Sequence, residues 1–139
     1  MIFAKNIHKY YDQLHVLKGV DLDIKKGEVV SIVGASGAGK TTLLQILGSL
    51  DTFSKDSETQ LEINGTDIAL LSENSLAKFR NEQLGFIFQF HQLLPEFTAL
   101  ENVCIPAFIK GTSQKDAETK AKELLHFLGL EERYNHKPN

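Results

Sequence analysis

Gly34-Ala35-Ser36-Gly37-Ala38-Gly39-Lys40-Thr41 is the stretch from which the rest of the chain is best read. It fits the spacing G-x-x-x-x-G-K-[ST] at every fixed position. Glycines at these places let a loop curl so that successive backbone N–H groups face inward as an anion nest. Residues 28–33 before it are short and mostly apolar, the pattern of a strand buried on both faces. After it, Leu43, Leu44, Ile46, Leu47 and Leu50 recur at helical spacing, which predicts a helix over residues 40–50. The positive end of that helix adds to the nest. Strand, glycine loop and helix together make a cradle for phosphate groups. Lys40 is expected to reach β- and γ-phosphates, Thr41 to offer its hydroxyl to Mg²⁺, and Thr42 to lie toward the α-phosphate. A glycine-rich turn that binds nothing is the weaker reading, because Lys-Thr at a helix start has no packing role.

The flanking sequence is mixed α and β. Val20-Asp21-Leu22-Asp23-Ile24 alternates as a half-buried strand does, and Lys25-Lys26-Gly27 is a turn. Residues 52–59 are polar and read as a loop, and residues 60–63 as a weak strand closed by Asn64-Gly65. Ser72 is placed to cap a helix to about Gln83, with Leu76 and Phe79 on its apolar side. Residues 84–88, Leu-Gly-Phe-Ile-Phe, are a second apolar strand candidate. Thr98 and Glu101 form a capping box ahead of a helix that Pro106 should bend or end. Ser113 caps a last helix whose inner face is expected to carry Ala117, Ala121, Leu124 and Leu128, with Gly129 as its C-terminal cap.

Composition narrows the functional classes. The 139 residues suit one ordinary domain, and 42% hydrophobic with 24% charged residues excludes disorder as the default. A net charge of −3 and a pI near 5.9 argue against a nucleic-acid binder. The single cysteine, Cys104, excludes an internal disulfide framework and reads as a small core residue in a reducing compartment. The first twelve residues lack a signal-peptide core, and no stretch is apolar for as long as a membrane span requires. A cytosolic protein is expected. His8, His15, His91, His126 and His136 show no metal-ligand spacing with one another or with Cys104.

A phosphate cradle does not by itself choose among kinases, GTPases and ATPases. The order and wording of the chain resemble the ATP-binding subunits of ABC transporters, within the branch serving lipoprotein release and macrolide export. The carrying residues are His15-Val16-Leu17-Lys18-Gly19-Val20-Asp21-Leu22, then the run 85–95 from Gly85 to Pro95, then Thr98-Ala99-Leu100-Glu101-Asn102-Val103 and the terminal 135–139. The resemblance implies an α/β fold of the P-loop NTPase type. It has an N-terminal antiparallel β subdomain and the start of a helical subdomain.

It also implies site residues. Tyr11 matches the aromatic that stacks on adenine, with Tyr10 as its neighbouring alternative, and Val16 would pack on the base or ribose or else be core. Gly34, Ala35, Ser36, Gly37, Ala38, Gly39, Lys40, Thr41 and Thr42 would hold the phosphates. Gln89 matches the Q-loop glutamine, which ligates Mg²⁺ or orients the attacking water. The run from Gln89 to Phe97 would face the cytoplasmic coupling helix of a transmembrane permease, apolar residues that could also fill a local core. Lys40 and Gln89 are thus the implied catalytic residues, Thr41 and Gln89 the metal ligands, ATP and Mg²⁺ the ligands. Two such subunits sandwich two ATP, and closure moves the Gln89 region against a membrane partner on the cytoplasmic face of the inner membrane. One departure is local: the family's Pro and Gly after the first helix are missing from Phe53-Ser54-Lys55-Asp56-Ser57-Glu58-Thr59.

No apolar run ending in an acid follows the cradle, although Mg²⁺ and water positioning in such ATPases call for one. In the resembled family the signature Leu-Ser-Gly-Gly, the Walker B strand and the switch histidine come after a stretch like 136–139. Residues 1–139 therefore read as a partial nucleotide-binding domain, with little ATPase activity and poor stability expected when isolated. The alternative is a non-hydrolysing nucleotide- or partner-binding P-loop module. A chromosome-organising ABC ATPase would show a heptad pattern after the last helix, and a GTPase an Asn-Lys-x-Asp; neither pattern is present.

Overall fold

The computed structural model describes residues 1–90 and 92–138, so His91 and Asn139 lie outside the described residues. The chain divides into two compact units, Met1–Arg80 and Asn81–Asn139.

In the first unit β1 (Ile2–Tyr11) and β2 (Leu14–Ile24) form a long antiparallel hairpin. Strand β3 (Gln60–Ile63) adds to the other side of β1, and β4 (Thr66–Asp67) pairs with β3. The order β2-β1-β3-β4 is antiparallel throughout. The register of β1 against β2 shifts between Ala4 and Ile7, and this irregularity lets two residues at odd spacing both face the core. Asn64 and Gly65, at φ 50° and 78°, make the tight turn between β3 and β4 that Asn-Gly favours.

Helix α1 (Lys40–Leu47) buries Leu43, Ile46 and Leu47, while the sheet contributes Ala4, Ile7, Leu17, Leu61 and Ile63 to the unit's interior. The helix stops at Leu47 rather than Leu50. Gly48 is its C-cap, Ser49 takes the left-handed conformation at φ 56°, and Leu50 N–H returns to the Gln45 carbonyl at 2.7 Å. Leu50 falls outside and is half exposed. The loop that lacks Pro and Gly is shaped by Asp56 instead. Its carboxylate accepts from the Glu58 and Thr59 N–H groups and from the Thr59 hydroxyl. Thr59 and these backbone donors hold the Asp56 carboxyl below the usual aspartate range. A 3₁₀ turn at Ile68–Leu70 and then α2 (Glu73–Gln83) follow, with Ser72 capping the Ser75 N–H.

The second unit is built on α3 (Ala99–Ile109) and α4 (Gln114–Phe127), packed through Cys104, Ala117 and Ala121 with Leu100, Val103 and Ala107 around them. Burial pushes the Cys104 thiol up, consistent with a core residue. Every N–H of the first turn of α3 has a partner. Ala99 and Leu100 donate to the His136 and Tyr134 carbonyls, Glu101 to Thr98 Oγ1 in the capping box, and Asn102 to the Thr98 carbonyl. Pro106 lies inside α3, which runs on to Ile109, so it does not end the helix. Gly111 does, with Thr112 N–H returning to the Ala107 carbonyl at 2.9 Å. Ser113 caps α4 as expected, and Gly129 at φ 70° closes it.

Three expectations are corrected. On α4 the inward residue after Ala121 is Leu125, whereas Leu124 and Leu128 are exposed; α3 packs on Ala117 and Ala121, and Leu125 continues that row at i, i+4 spacing. Residues 28–33 join no ladder, and Val29 and Val33 are exposed. Residues 84–88 likewise form no strand, with Phe86 and Phe88 stacked at 5.6 Å and Ile87 fully exposed. An apolar run becomes a strand only when a neighbour supplies ladder hydrogen bonds, and none of the described residues does so here.

Candidate functional site

The glycine loop and the start of α1 form one side of a cavity of about 350 Å³, lined by Tyr11, Val16, Ser36, Gly37, Gly39, Lys40, Thr41 and Thr42. Eight of the eleven residues expected to contact the nucleotide thus share one wall-and-floor arrangement within the first unit. Of the other three, Gly34 and Ala35 present their carbonyls to Lys40, and Ala38 N–H closes a turn on the Ala35 carbonyl at 3.3 Å.

Lys40 Nζ donates to the Gly34 carbonyl at 2.8 Å and to that of Ala35 at 2.6 Å, so its ammonium is folded back over the loop at the helix start. Gly37 and Gly39 hold positive φ of 78° and 86°, conformations that a side chain resists. Gly39 is crowded as well: a Cβ there would stand 3.0 Å from Leu17 Cδ2 and 3.1 Å from Val16 Cγ1. Val16 therefore both packs on the loop and faces the cavity.

Tyr11 is the aromatic at the cavity. Tyr10 instead stacks on His15, with centroids 4.0 Å apart and rings inclined by 12°. The Tyr11 hydroxyl donates to Asp51 Oδ2 at 2.7 Å, and the buried Lys9 donates to Asp51 Oδ1 at 2.6 Å. Lys9 also bonds the Thr52 carbonyl at 2.7 Å and stands over the Tyr11 ring, 4.9 Å from its centroid. Burial raises the Asp51 carboxyl, but bonds from Lys9, Tyr11 and the Thr52 N–H, with the Lys9 charge, bring it below the usual aspartate range. Neither Lys9 nor Asp51 was legible as a site residue, since the pair is separated by 42 positions and only the fold unites it.

The donors in the cavity are hydroxyl-bearing Ser36, Thr41 and Thr42 and the Lys40 ammonium. Hard oxygen donors of this kind suit Mg²⁺, and Thr41 beside Lys40 fits the expected ligand. Among the described residues no cluster of three or more His, Cys, Asp or Glu could hold a metal. An ion here would therefore draw most of its ligands from phosphate oxygens and water.

Gln89 belongs to the second unit, in an exposed bend, followed by exposed Phe90 and half-exposed Leu93, Leu94 and Phe97. Asn102 shapes this segment. Its Oδ1 accepts from Leu94 N–H at 2.8 Å, and its Nδ2 donates to the Leu94, Phe97 and Thr98 carbonyls. The sequence showed Asn102 next to the capping box without hinting at this role.

Known proteins bear on these features. The "Lipoprotein-releasing system ATP-binding protein LolD" of Bacteroides fragilis (strain YCH46) is 59% identical over 139 residues, covering 100% of this chain and 63% of that protein. Its counterpart from Porphyromonas gingivalis (strain ATCC BAA-308 / W83) is 58% identical, again over the whole chain and 62% of that protein. The chain thus spans less than two-thirds of the length of these relatives. Among solved structures, the ATP-binding cassette MJ0796, in a dimeric post-hydrolysis state bound to ADP and Pi, superposes with a TM-score of 0.86. It is 39% identical, covering 100% of this chain and 62% of that one. The family profile described as "ABC transporter" matches residues 17–139. With that match running through the glycine loop and helices α1 to α4, the chain belongs to the ABC transporter family.

Proposed function

We propose that this chain is the nucleotide-gripping part of the ATP-binding subunit of a lipoprotein-releasing ABC transporter. The observation that carries the reading is the single cavity in which Lys40, Thr41 and Thr42 meet the glycine loop, Val16 and Tyr11. The LolD names of its relatives support the lipoprotein-releasing branch over macrolide export. Residues 1–139 constitute a partial nucleotide-binding domain, with the phosphate loop and the Gln89 segment present and the signature, Walker B and switch histidine supplied elsewhere in the whole protein.

In this reading the backbone N–H groups of residues 34–39 and the start of α1 bind the β-phosphate of ATP. Lys40 turns from the Gly34 and Ala35 carbonyls to the β- and γ-phosphates, where its charge offsets the charge of the transferred phosphoryl group. Tyr11 offers its ring face to the adenine and Val16 an apolar edge. Thr41 would offer its hydroxyl to Mg²⁺, and the family resemblance adds Gln89 as a candidate ligand; the ion would neutralise phosphate charge there. Alternatively Gln89 would orient the attacking water, its amide being both donor and acceptor without charge. The exposed apolar side chains between Gln89 and Phe97 are the surface for a transmembrane permease, and the working subunit is a homodimer at the cytoplasmic face of the inner membrane. No helix among the described residues is long and apolar enough to cross a membrane.

Titration of ATP and of GTP with Mg²⁺ against the whole protein, and against its Lys40→Ala variant, tests the site. Loss of one charged contact should weaken binding roughly 10- to 100-fold. Equal affinity in both proteins would remove the reading and favour a partner-binding module. The 139-residue chain expressed alone is expected to turn over little or no ATP, and steady turnover abolished by Lys40→Ala would refute that. ATP-dependent release of a lipoprotein from vesicles holding the permease tests the transported class.

A further inference from the structure

We infer that Asp51, anchored by the buried Lys9, is a positioning residue that fixes the Tyr11 ring as the wall of the nucleotide-base site. The inference rests on the nucleotide-binding reading of that cavity and extends it to two residues that do not line it.

Tyr11 needs such a hold. It is the last residue of β1, the chain turns at Asp12, and its side chain is half exposed, so packing alone does not restrict its ring. Its hydroxyl is instead tied to Asp51 Oδ2 at 2.7 Å. Asp51 is in turn fixed from both sides. Its N–H meets the Gln45 carbonyl of α1 at 3.3 Å, and its Oδ1 accepts from Lys9 at 2.6 Å and from the Thr52 N–H at 2.7 Å. Lys9 and Tyr11 are two apart on β1 and so share a face of the sheet, where the ammonium covers the ring at 4.9 Å. The same helix therefore carries Lys40 and Thr41 at its beginning and holds Asp51 just past its end. The base wall and the phosphate grip are set from one rigid element.

A purely structural ion pair is the competing explanation. Lys9 is 7% exposed, and burying a cation is costly enough that an apolar residue of similar size would often stabilise the fold as well or better. What Lys9 and Asp51 provide that an apolar pair would not is a carboxylate aimed at one hydroxyl, that of the residue facing the cavity.

The test uses the whole protein and measures dissociation constants for ATP with Mg²⁺ and, by competition, for inorganic tripolyphosphate, which has no base. Tyr11→Phe removes only the tether, Asp51→Ala removes its acceptor, and Tyr11→Ala removes the wall. Tyr11→Phe and Asp51→Ala are each expected to weaken ATP binding by a similar factor, between about 2 and 10. The double variant should be no weaker than Asp51→Ala alone, Asp51→Asn should recover part of the loss, and tripolyphosphate affinity should stay unchanged throughout. If Tyr11→Ala weakens ATP binding while Tyr11→Phe binds like the parent, the positioning role is refuted and the base site stands. Multiplying losses in the double variant, or equal loss of tripolyphosphate binding, refute it as well. If even Tyr11→Ala leaves ATP binding unchanged, the base-site reading itself falls. Tyr11→Phe changes no buried group, so the outcome does not depend on whether Asp51→Ala folds.

Discussion

Gly39 lies so close to Leu17 that a Cβ on the glycine would stand 3.0 Å from Leu17 Cδ2, tight enough that the leucine side chain would have to give way by a few tenths of an ångström. Gly39 also sits at φ 86°, where a side chain adds strain of its own. Gly37, two residues earlier in the same loop, shares the positive φ of 78° but has open space around its missing Cβ. The two glycines are therefore expected to separate on substitution. Gly37→Ala should cost about 1–2 kcal/mol from backbone strain alone. Gly39→Ala should cost more and should also shift Val16, which faces both the glycine and the cavity, so that nucleotide affinity falls along with stability. Denaturant midpoints and ATP titrations of the two variants check this; equal effects would count against the close approach.

Asp51 gives the protein a pH signature with a definite sign. Burial raises its carboxyl, while the bonds from Lys9, Tyr11 and Thr52 bring it below the ordinary aspartate value. The folded chain thus binds this proton less tightly than the unfolded chain. The resulting stabilisation is present in full above the unfolded value of about pH 4 and is lost as pH falls through the folded value. Asp51→Asn, which keeps an oxygen acceptor but cannot ionise, should be less stable than the parent at neutral pH. The difference should shrink progressively below about pH 4. A difference that stays constant from neutral to acid pH would show that the charge of Asp51 does not matter.

The face of α4 yields a sharper contrast. Leu125 is 5% exposed and lies on the row with Ala117 and Ala121, whereas Leu124 beside it is 47% exposed. Leu125→Ala should destabilise by about 2–5 kcal/mol, the range for emptying a packed leucine site. Leu124→Ala should stay within about 0.5 kcal/mol, as an exposed substitution does. Urea unfolding of the two variants decides between this row and the one that ends in Leu124 and Leu128.

These contrasts also show which features a sequence carries openly. The anion loop, the Thr98–Glu101 box, the Ser113 cap and the Asn64-Gly65 turn were legible because each is a bargain struck among residues a few positions apart. Features decided by a distant neighbour were not. The stripes through Leu124 and Leu125 begin with the same two alanines, and only the placement of α3 selects one. Residues 28–33 and 84–88 carry the composition of buried strands, but a ladder needs a neighbour that composition cannot supply. Tyr10 and Tyr11 are adjacent aromatics on one strand. Their roles separate because successive side chains point to opposite faces and the β1–β2 register shifts between Lys9 and Tyr10. The Lys9–Asp51 pair had no local signal at all.

The end of α1 carries a stabilising substitution waiting to be made. Ser49 occupies the left-handed position after the Gly48 C-cap at φ 56°, where glycine is the usual occupant. Its N–H donates to the Ile46 carbonyl, and its carbonyl accepts from Arg80 Nη1 at 2.8 Å, so its backbone is fully used. Its side chain is not: Ser49 is buried, and among the described residues its Oγ has no hydrogen-bond partner. Ser49→Gly would relieve the strained φ and remove the unpaired hydroxyl while leaving both backbone bonds in place. A gain of about 1 kcal/mol is expected, the left-handed relief outweighing the entropy that glycine adds to the unfolded chain. Ser49→Ala removes the same hydroxyl but keeps the Cβ, so it should recover only part of that gain. Thermal unfolding of the two variants beside the parent measures both contributions, and an Ala variant more stable than the Gly variant would show that the backbone at Ser49 is not under strain.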